Sequence, residues 1–373
     1  MDTSDFILDE SIAYLNHAAV SPWPRRTAEA VKRFATENAR FGARHYNAWM
    51  ETERELKSQL CRLIHAASVD EIALLKNTSE ALSIVAYGLA WMPGDNVVIT
   101  DQEFPSNRIV WESLAKFGVE TRAAGLSGDT PPEDAIISRL DSHTRVVSVS
   151  SVQYATGLRL DLEKIGAACR ELDILFCVDA IQSLGAISLD VQACQADFVM
   201  ADGHKWLMGP EGVALFYCRA GVMDRLDLQQ YGWHMVEEQG NYDNPAWHLA
   251  ATARRFECGS PNMTGIHAMN ASLSLIHETG MPTIEKRVTE NSRYLIDYFS
   301  AHEADFHLLT PSADLRHAGI VTFRPLHESS GSLHERLQNE NVICALRGGG
   351  IRFSPHYYTP REQLDRVLRL LEV

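Results

Sequence analysis

The sequence predicts an α/β protein: a mainly parallel sheet flanked by helices, followed by a smaller α+β C-terminal part. Three observations carry that prediction. From residue 71 onward, short apolar, β-branched runs alternate with amphipathic stretches, and strands separated by helices imply right-handed crossovers and parallel pairing. After about residue 262 this alternation gives way to two long helical patterns and then to strands with a final helix. The 373 residues, 45% hydrophobic and 22% charged, supply enough apolar material for one large core or two domains.

Residues 1–25 read as an N-terminal arm, because the short apolar entry from Ser11 is followed by a Pro-bounded turn.

 Pro22 and Pro24 bracket Trp23, and a helical pattern begins near Arg26. Residues 26–262 form the expected large domain. Its linker helix, 26–67, carries apolar positions at Val31, Phe34, Phe41, Leu56, Leu60 and Leu63, read as core packing. Strands are expected at 71–76, 96–100, 145–152, 174–179, 197–201 and 213–218, with helices at 79–90, 107–117 and 162–171. Residues 263–373 form the smaller domain, with helices at 265–277, 283–301 and 361–371 and strands at 318–324 and 350–354.

A net charge of −15 and a pI near 5.4 argue against nucleic acid or an anionic membrane as partner, because phosphate backbones select for clustered Lys and Arg. Seven cysteines without a C-x-x-C pair disfavour a zinc ribbon or a thioredoxin-like centre and suggest reduced, mostly buried thiols. No metal site is expected. With no apolar segment at the N-terminus and no run long enough to span a bilayer, a cytoplasmic location is the default expectation.

Five loops carry polar groups of a consistent kind, and in an open α/β sheet the carboxyl ends of the strands are where ligands bind. Thr78 and Ser79 open a helix after the first strand, a position suited to a phosphate; an ordinary N-cap with a nearby Glu accounts for the same residues. Phe104 ends the second strand and offers a ring for stacking on a planar heterocycle, with core packing as the alternative. Thr156 lies in a polar loop, 153–157, that reads equally well as a turn. Asp179 ends an apolar strand, so its carboxylate needs a cationic or donating partner, and Gln182 follows within reach of the same ligand. Lys205, beside His204, ends the strand 197–201 and offers an amine able to form a Schiff base. A phosphate cup, a stacking ring, a buried acid and a lysine are the parts needed to hold pyridoxal 5′-phosphate as an electron sink.

At these residues the chain resembles the class V aminotransferase family of fold-type I pyridoxal phosphate enzymes, which includes cysteine desulfurases, selenocysteine lyases, kynureninases and isopenicillin N epimerase-like proteins. The resemblance runs from about Tyr14 to the C-terminus. It rests on Val178-Asp179-x-x-Gln182, Gly203-His204-Lys205, Arg255-Phe256-Glu257-x-Gly259-Ser260-Pro261 and Arg352-x-Ser354. It implies that Lys205 carries the cofactor, Asp179 pairs with the ring nitrogen, and Gln182 bonds the ring hydroxyl. It further implies that Thr78, Ser79 and His204 hold the phosphate, joined by Ser260 from the neighbouring subunit of a homodimer. Arg352 would clamp the α-carboxylate of an amino-acid substrate, with Asn16, His17 and Ala18 of the arm nearby.

Three departures from the family pattern matter. Phe104 stands where desulfurases carry a stacked histidine. Asp202 stands where many members have Ser or Thr, and a carboxylate facing a phosphate is unfavourable, so Asp202 is expected outside the phosphate cup. Cys344 lies in an apolar run before Gly348-Gly349-Gly350, a short turn replacing the longer loop that bears a nucleophilic cysteine in desulfurases; it reads as a buried thiol. Aminotransferase or carbon–sulfur β-lyase chemistry therefore ranks above desulfuration, selenocysteine cleavage or epimerisation. A non-catalytic cofactor-binding protein has no need of Arg352, and a nucleotide-binding protein lacks its G-x-G-x-x-G or G-x-x-x-x-G-K-[ST] loop. Tyr231, Trp233 and His248 are expected in core or interface packing more than in a substrate pocket.

Overall fold

The computed structural model describes residues 4–243 and 245–372. Its large sheet contains β2 (Ile72–Leu75), β3 (Asn96–Thr100), β4 (Glu120–Ala124), β5 (Thr144–Ser150), β6 (Leu175–Asp179), β7 (Phe198–Asp202) and β8 (Ala214–Cys218), preceded in the chain by the short β1 (Ala13–Tyr14). The strand order is β2-β8-β7-β6-β5-β3-β4. Every pairing is parallel except those of β8, which runs antiparallel to both β7 and β2.

Successive side chains of a strand point to opposite faces, and here both faces are covered. Val98, Val147, Val149, Phe176, Val178 and Val199 enter one core cluster, while Val97, Ile99, Val146, Leu175, Cys177 and Phe198 enter the other. The helices that cover the sheet are α1 (Arg25–Phe41), α2 (Tyr46–Leu63), α3 (Thr78–Gly88), α4 (Pro105–Glu112), α5 (Pro132–Ile137), α6 (Leu162–Glu171) and α7 (Met263–Thr279). The expected linker helix is thus two helices, broken at Gly42, which adopts φ 56°. That break leaves Phe41 exposed at the last position of α1, under the Arg40 guanidinium, and not in the core. Helix α7, expected in the smaller domain, packs against α1 and α2; its buried Ser272 hydroxyl bonds Thr27 and the Met208 carbonyl.

Beyond α8 (Met281–Ala301), β9 (Phe306–Leu308), β10 (Val321–Pro325), α9 (Ser330–Asn339), β11 (Val342–Ile343), β12 (Ala345–Arg347), β13 (Gly350–Phe353) and α10 (Arg361–Arg369) complete the chain. An antiparallel sheet of order β12-β13-β10-β9 is filled by a separate apolar cluster that includes Phe299, Phe323 and Phe353. Strand β1 of the arm pairs in parallel with β11, which ties the N-terminus to this C-terminal layer. Gly348 and Gly349, at φ 61° and 76°, form the β12–β13 turn in a backbone region that side chains disfavour. Strand β4 and helices α5 and α9 lie outside the elements read from the sequence. No helix among the described residues is long and apolar enough to cross a membrane.

Candidate active site

The carboxyl ends of β2, β3, β5, β6 and β7 deliver their following loops to one cavity of about 260 Å³. Its lining includes Thr78, Ser79, Phe104, Asp179, Gln182, His204, Lys205 and Arg352, eight of the residues singled out from the sequence. Convergence follows from topology: parallel strands share a direction, so their C-terminal loops share an edge.

Lys205 is held by its neighbour. Trp206 is fully buried, donates Nε1–H to Gln182 Oε1 at 3.0 Å, and its carbonyl bonds His356 Nε2 at 3.0 Å. A Cβ on Gly319 would lie 2.2 Å from the Trp206 ring, so only glycine lets the C-terminal layer close over that indole. The Lys205 Nζ stands 5.6 Å from the centroid of the Phe104 ring. Burial pulls its pKa down, which favours the nucleophilic free amine, while Asp179 opposes the shift.

Asp179 is 2% exposed, and burial pushes its carboxyl well up from the usual range. Oδ1 accepts the Ile181 N–H at 3.0 Å. A protonated ring nitrogen beside it would restore the charged form. Phe104 is 40% exposed toward the cavity and meets Tyr154 edge-on, the centroids 5.1 Å apart. Gln182 Nε2 also donates to the Ala18 carbonyl, leaving one N–H for a ligand.

At the opposite end Arg352 is 2% exposed, with Nη1 donating to the Tyr154 carbonyl at 2.8 Å and Nε buried without a partner. Burial lowers its pKa to about 10, so the guanidinium remains charged and unpaired near neutral pH, ready for a carboxylate. Arg347 joins it in the lining and had no role assigned from the sequence; Tyr154, from the polar loop 153–157, lines it in place of the expected Thr156. A single arginine in a short strand carries no local signal of the loop it will face. Glu103 was also missed: its buried carboxylate gathers Thr100, Asn107, Ser150 and Gln153, and so locks the loops after β3 and β5 together.

The cup at the amino end of α3 suits a phosphate. Asn77 caps the helix through Glu80 N–H, which leaves Thr78 and Ser79 facing the cavity. Thr78 Oγ1 and His204 Nδ1 are buried and unpartnered, and such orphan groups call for an anionic or accepting ligand. Together with the uncompensated Asp179 and Arg352, they fit pyridoxal phosphate. Asp202, expected outside the cup, lines the same cavity, because its Oδ1 accepts the Thr78 N–H at 2.8 Å.

Other expected residues stand elsewhere. Thr156 does not line the cavity; its hydroxyl donates to Gln102 and accepts the Leu158 N–H. Asn16 and His17 lie behind Ala18 and Ala19, which do line it; His17 is fully buried between the Ser354 carbonyl and the Tyr358 hydroxyl. Ser260 is exposed and lines a different cleft with Lys76 and Glu80. Tyr231 is exposed and not in the core, and His248 is exposed against Glu238. Glu53, His234 and Glu257 cluster with metal-ligand spacing, but the Lys57 ammonium bonds both carboxylates, at 2.9 and 2.8 Å, and fills the cation position.

The class-V aminotransferase family model matches residues 13–367. A protein named "Probable cysteine desulfurase" from Methanothermobacter thermautotrophicus is 30% identical over 96% of this chain and 94% of its own length. Among solved structures, the apo cysteine desulfurase from Thermococcus onnurineus NA1 superposes with a TM-score of 0.87 at 24% identity, covering 99% of this chain and 96% of that one. A cystine C–S lyase in complex with its product cysteine persulfide superposes at 0.89 with 23% identity, covering 97% and 98%. These two superpositions concern the fold.

Proposed function

Because the chain belongs to the class-V aminotransferase family, whose members use pyridoxal phosphate on amino acids, we propose that it removes a proton from the Cα of an amino-acid substrate for aminotransferase or carbon–sulfur β-lyase chemistry. The observation that carries this reading is the single cavity shared by Lys205, Asp179 and the unpaired Arg352. Bound there, the cofactor supplies an electron sink for the charge that develops at Cα.

Each residue of the chain then has a task. Lys205 would hold the cofactor through Nζ, and its amine is the group placed to take up and return a proton at Cα. Asp179 would keep a proton on the ring nitrogen by offering it a buried carboxylate. Phe104 covers the ring, and Gln182 donates to the ring hydroxyl. Thr78, Ser79 and His204 bind the phosphate at the amino end of α3, where free N–H groups favour an anion. Arg352 orients the α-carboxylate through its fork of donors, fixing which bond at Cα lies over the sink. With its own Ser260 exposed and away from Lys205, the chain works as a homodimer in which Ser260 serves the neighbouring subunit, in the cytoplasm.

Incubating the holoenzyme with a panel of amino acids and assaying keto acid, sulfide and ammonia tests the assignment: keto acid that forms only with an added acceptor and without ammonia marks transamination, and keto acid with ammonia and sulfide marks β-elimination. Racemisation alone, or no turnover of any amino acid, overturns it. Cys344 has no part in this scheme. It is buried between β11 and β12, absent from the cavity lining, and burial raises its thiol to about 12. Cys344→Ser is therefore expected to leave turnover within about twofold of the parent; near-complete loss of sulfur release would restore a persulfide mechanism.

A further inference from the structure

The phosphate cup holds a carboxylate that a phosphate-binding site does not ordinarily contain, and the inference drawn from it rests on the cofactor reading above. Asp202 Oδ1 already occupies the Thr78 N–H at 2.8 Å, and Oδ2 lies 3.6 Å from His204 Nδ1. The two orphan groups of the cup, Thr78 Oγ1 and His204 Nδ1, flank the same space. A phosphate drawn to those donors comes into contact with the carboxylate.

Among the described residues, no cation of the cup stays free to offset that contact. Burial lowers His204 to about 4, so its imidazole enters as a neutral group. Glu211 adds negative charge from the segment before β8, and Asp179 does so from the end of β6. Lys205 is the one cation that acts on Asp202 from its own loop, and its amine is committed to the cofactor aldehyde. Arg347 and Arg352 belong to the carboxylate end of the cavity. Burial meanwhile raises Asp202 to about 6, close to the second ionisation of a phosphate monoester, at about 6. Two acids of matched proton affinity in contact do not both ionise; one proton held between them replaces the repulsion with a short O–H···O bond.

We propose that Asp202 and the cofactor phosphate share one proton in this cup, so that loading the cofactor takes up a proton that serine or asparagine at this position does not require. Above the free ionisations of both acids, each pH unit then weakens binding about tenfold through this group. Lys205 also titrates, with the opposite sign, because only its free amine reacts. Asp202 itself acts on the Lys205 amine, so the quantity to follow is the ratio of dissociation constants, parent over variant, for pyridoxal phosphate divided by the same ratio for pyridoxal, in which the Lys205 contribution cancels.

The experiment titrates apoprotein with pyridoxal phosphate, following the visible band, in the parent, Asp202→Asn and Asp202→Ser. Asparagine keeps an acceptor for the Thr78 N–H, and serine removes the carboxylate altogether. Expected is a parent-to-variant ratio, divided by that for pyridoxal, that rises about tenfold per unit between about pH 7 and about pH 9 for both variants. Calorimetry at about pH 8 in two buffers of different ionisation enthalpy should show about one more proton taken up by the parent. Pyridoxal, which lacks the phosphate, supplies the reference, its own ratio changing with pH only as far as Asp202 shifts the Lys205 amine. A flat ratio with pyridoxal phosphate and equal proton uptake overturns the proposal while leaving the cofactor reading intact, as does an equal slope with pyridoxal. A parent protein that yields no saturable band at any pH overturns both.

Discussion

Lys205→Ala is expected to remove the visible band formed with pyridoxal phosphate, to leave no borohydride-stable label on the protein, and to lower turnover by about 10⁴-fold, the upper range for a positioned proton carrier. The expectation rests on position. Among the described residues Lys205 is the one lysine lining the cavity, its Nζ stands over the Phe104 ring, and burial favours its free amine. Fully buried Trp206 fixes the backbone beside it through bonds to Gln182 and His356, so removing the lysine side chain should leave the fold undisturbed. Unchanged circular dichroism with loss of the band separates chemistry from folding. Labelling by borohydride at any other residue would overturn the assignment.

Asp179→Asn is expected to lower turnover by about 10² to 10³-fold while the borohydride label on Lys205 remains, the loss typical of removing one group that stabilises developing charge in a water-excluded site. The amide matches the carboxylate in volume and still accepts the Ile181 N–H, so packing is preserved. It offers no negative charge to a protonated ring nitrogen, and the ring then loses its strength as an electron sink. The signature is a fall in kcat with binding of the cofactor largely retained. Equal turnover in the parent and Asp179→Asn would show that the ring nitrogen needs no charged partner here.

Much of the fold was legible because its signals are local. Apolar runs such as Ile174–Val178 read as buried strands, and the capped opening of α3 read as a helix start, since propensity and periodicity need no distant partner. Elements whose stability comes from tertiary contact were less visible. Strand β4 has a polar, half-exposed pattern and is held by its parallel pairing with β3. The break at Gly42 is hidden inside a continuous helical pattern, and Phe41 looks apolar enough for the core until the chain turns there.

The candidate site divides in the same way. The sequence by itself determined which groups stand at strand ends: Thr78, Phe104, Asp179 and Lys205 follow from where apolar runs stop, and Arg352 from the motif it shares with a family. Only the tertiary structure decided which of their atoms are left without partners. Thr156 satisfied its hydroxyl on Gln102, His17 spent both ring nitrogens on the C-terminal layer, and Ser260 faced a separate cleft. Asp202 turned into the cup because the first N–H of α3 lay within its reach. Hydrogen-bond partners of this kind come from loops far apart in the chain, 54 residues for Thr156 and Gln102 and 124 for Asp202 and Thr78, and no local pattern records them.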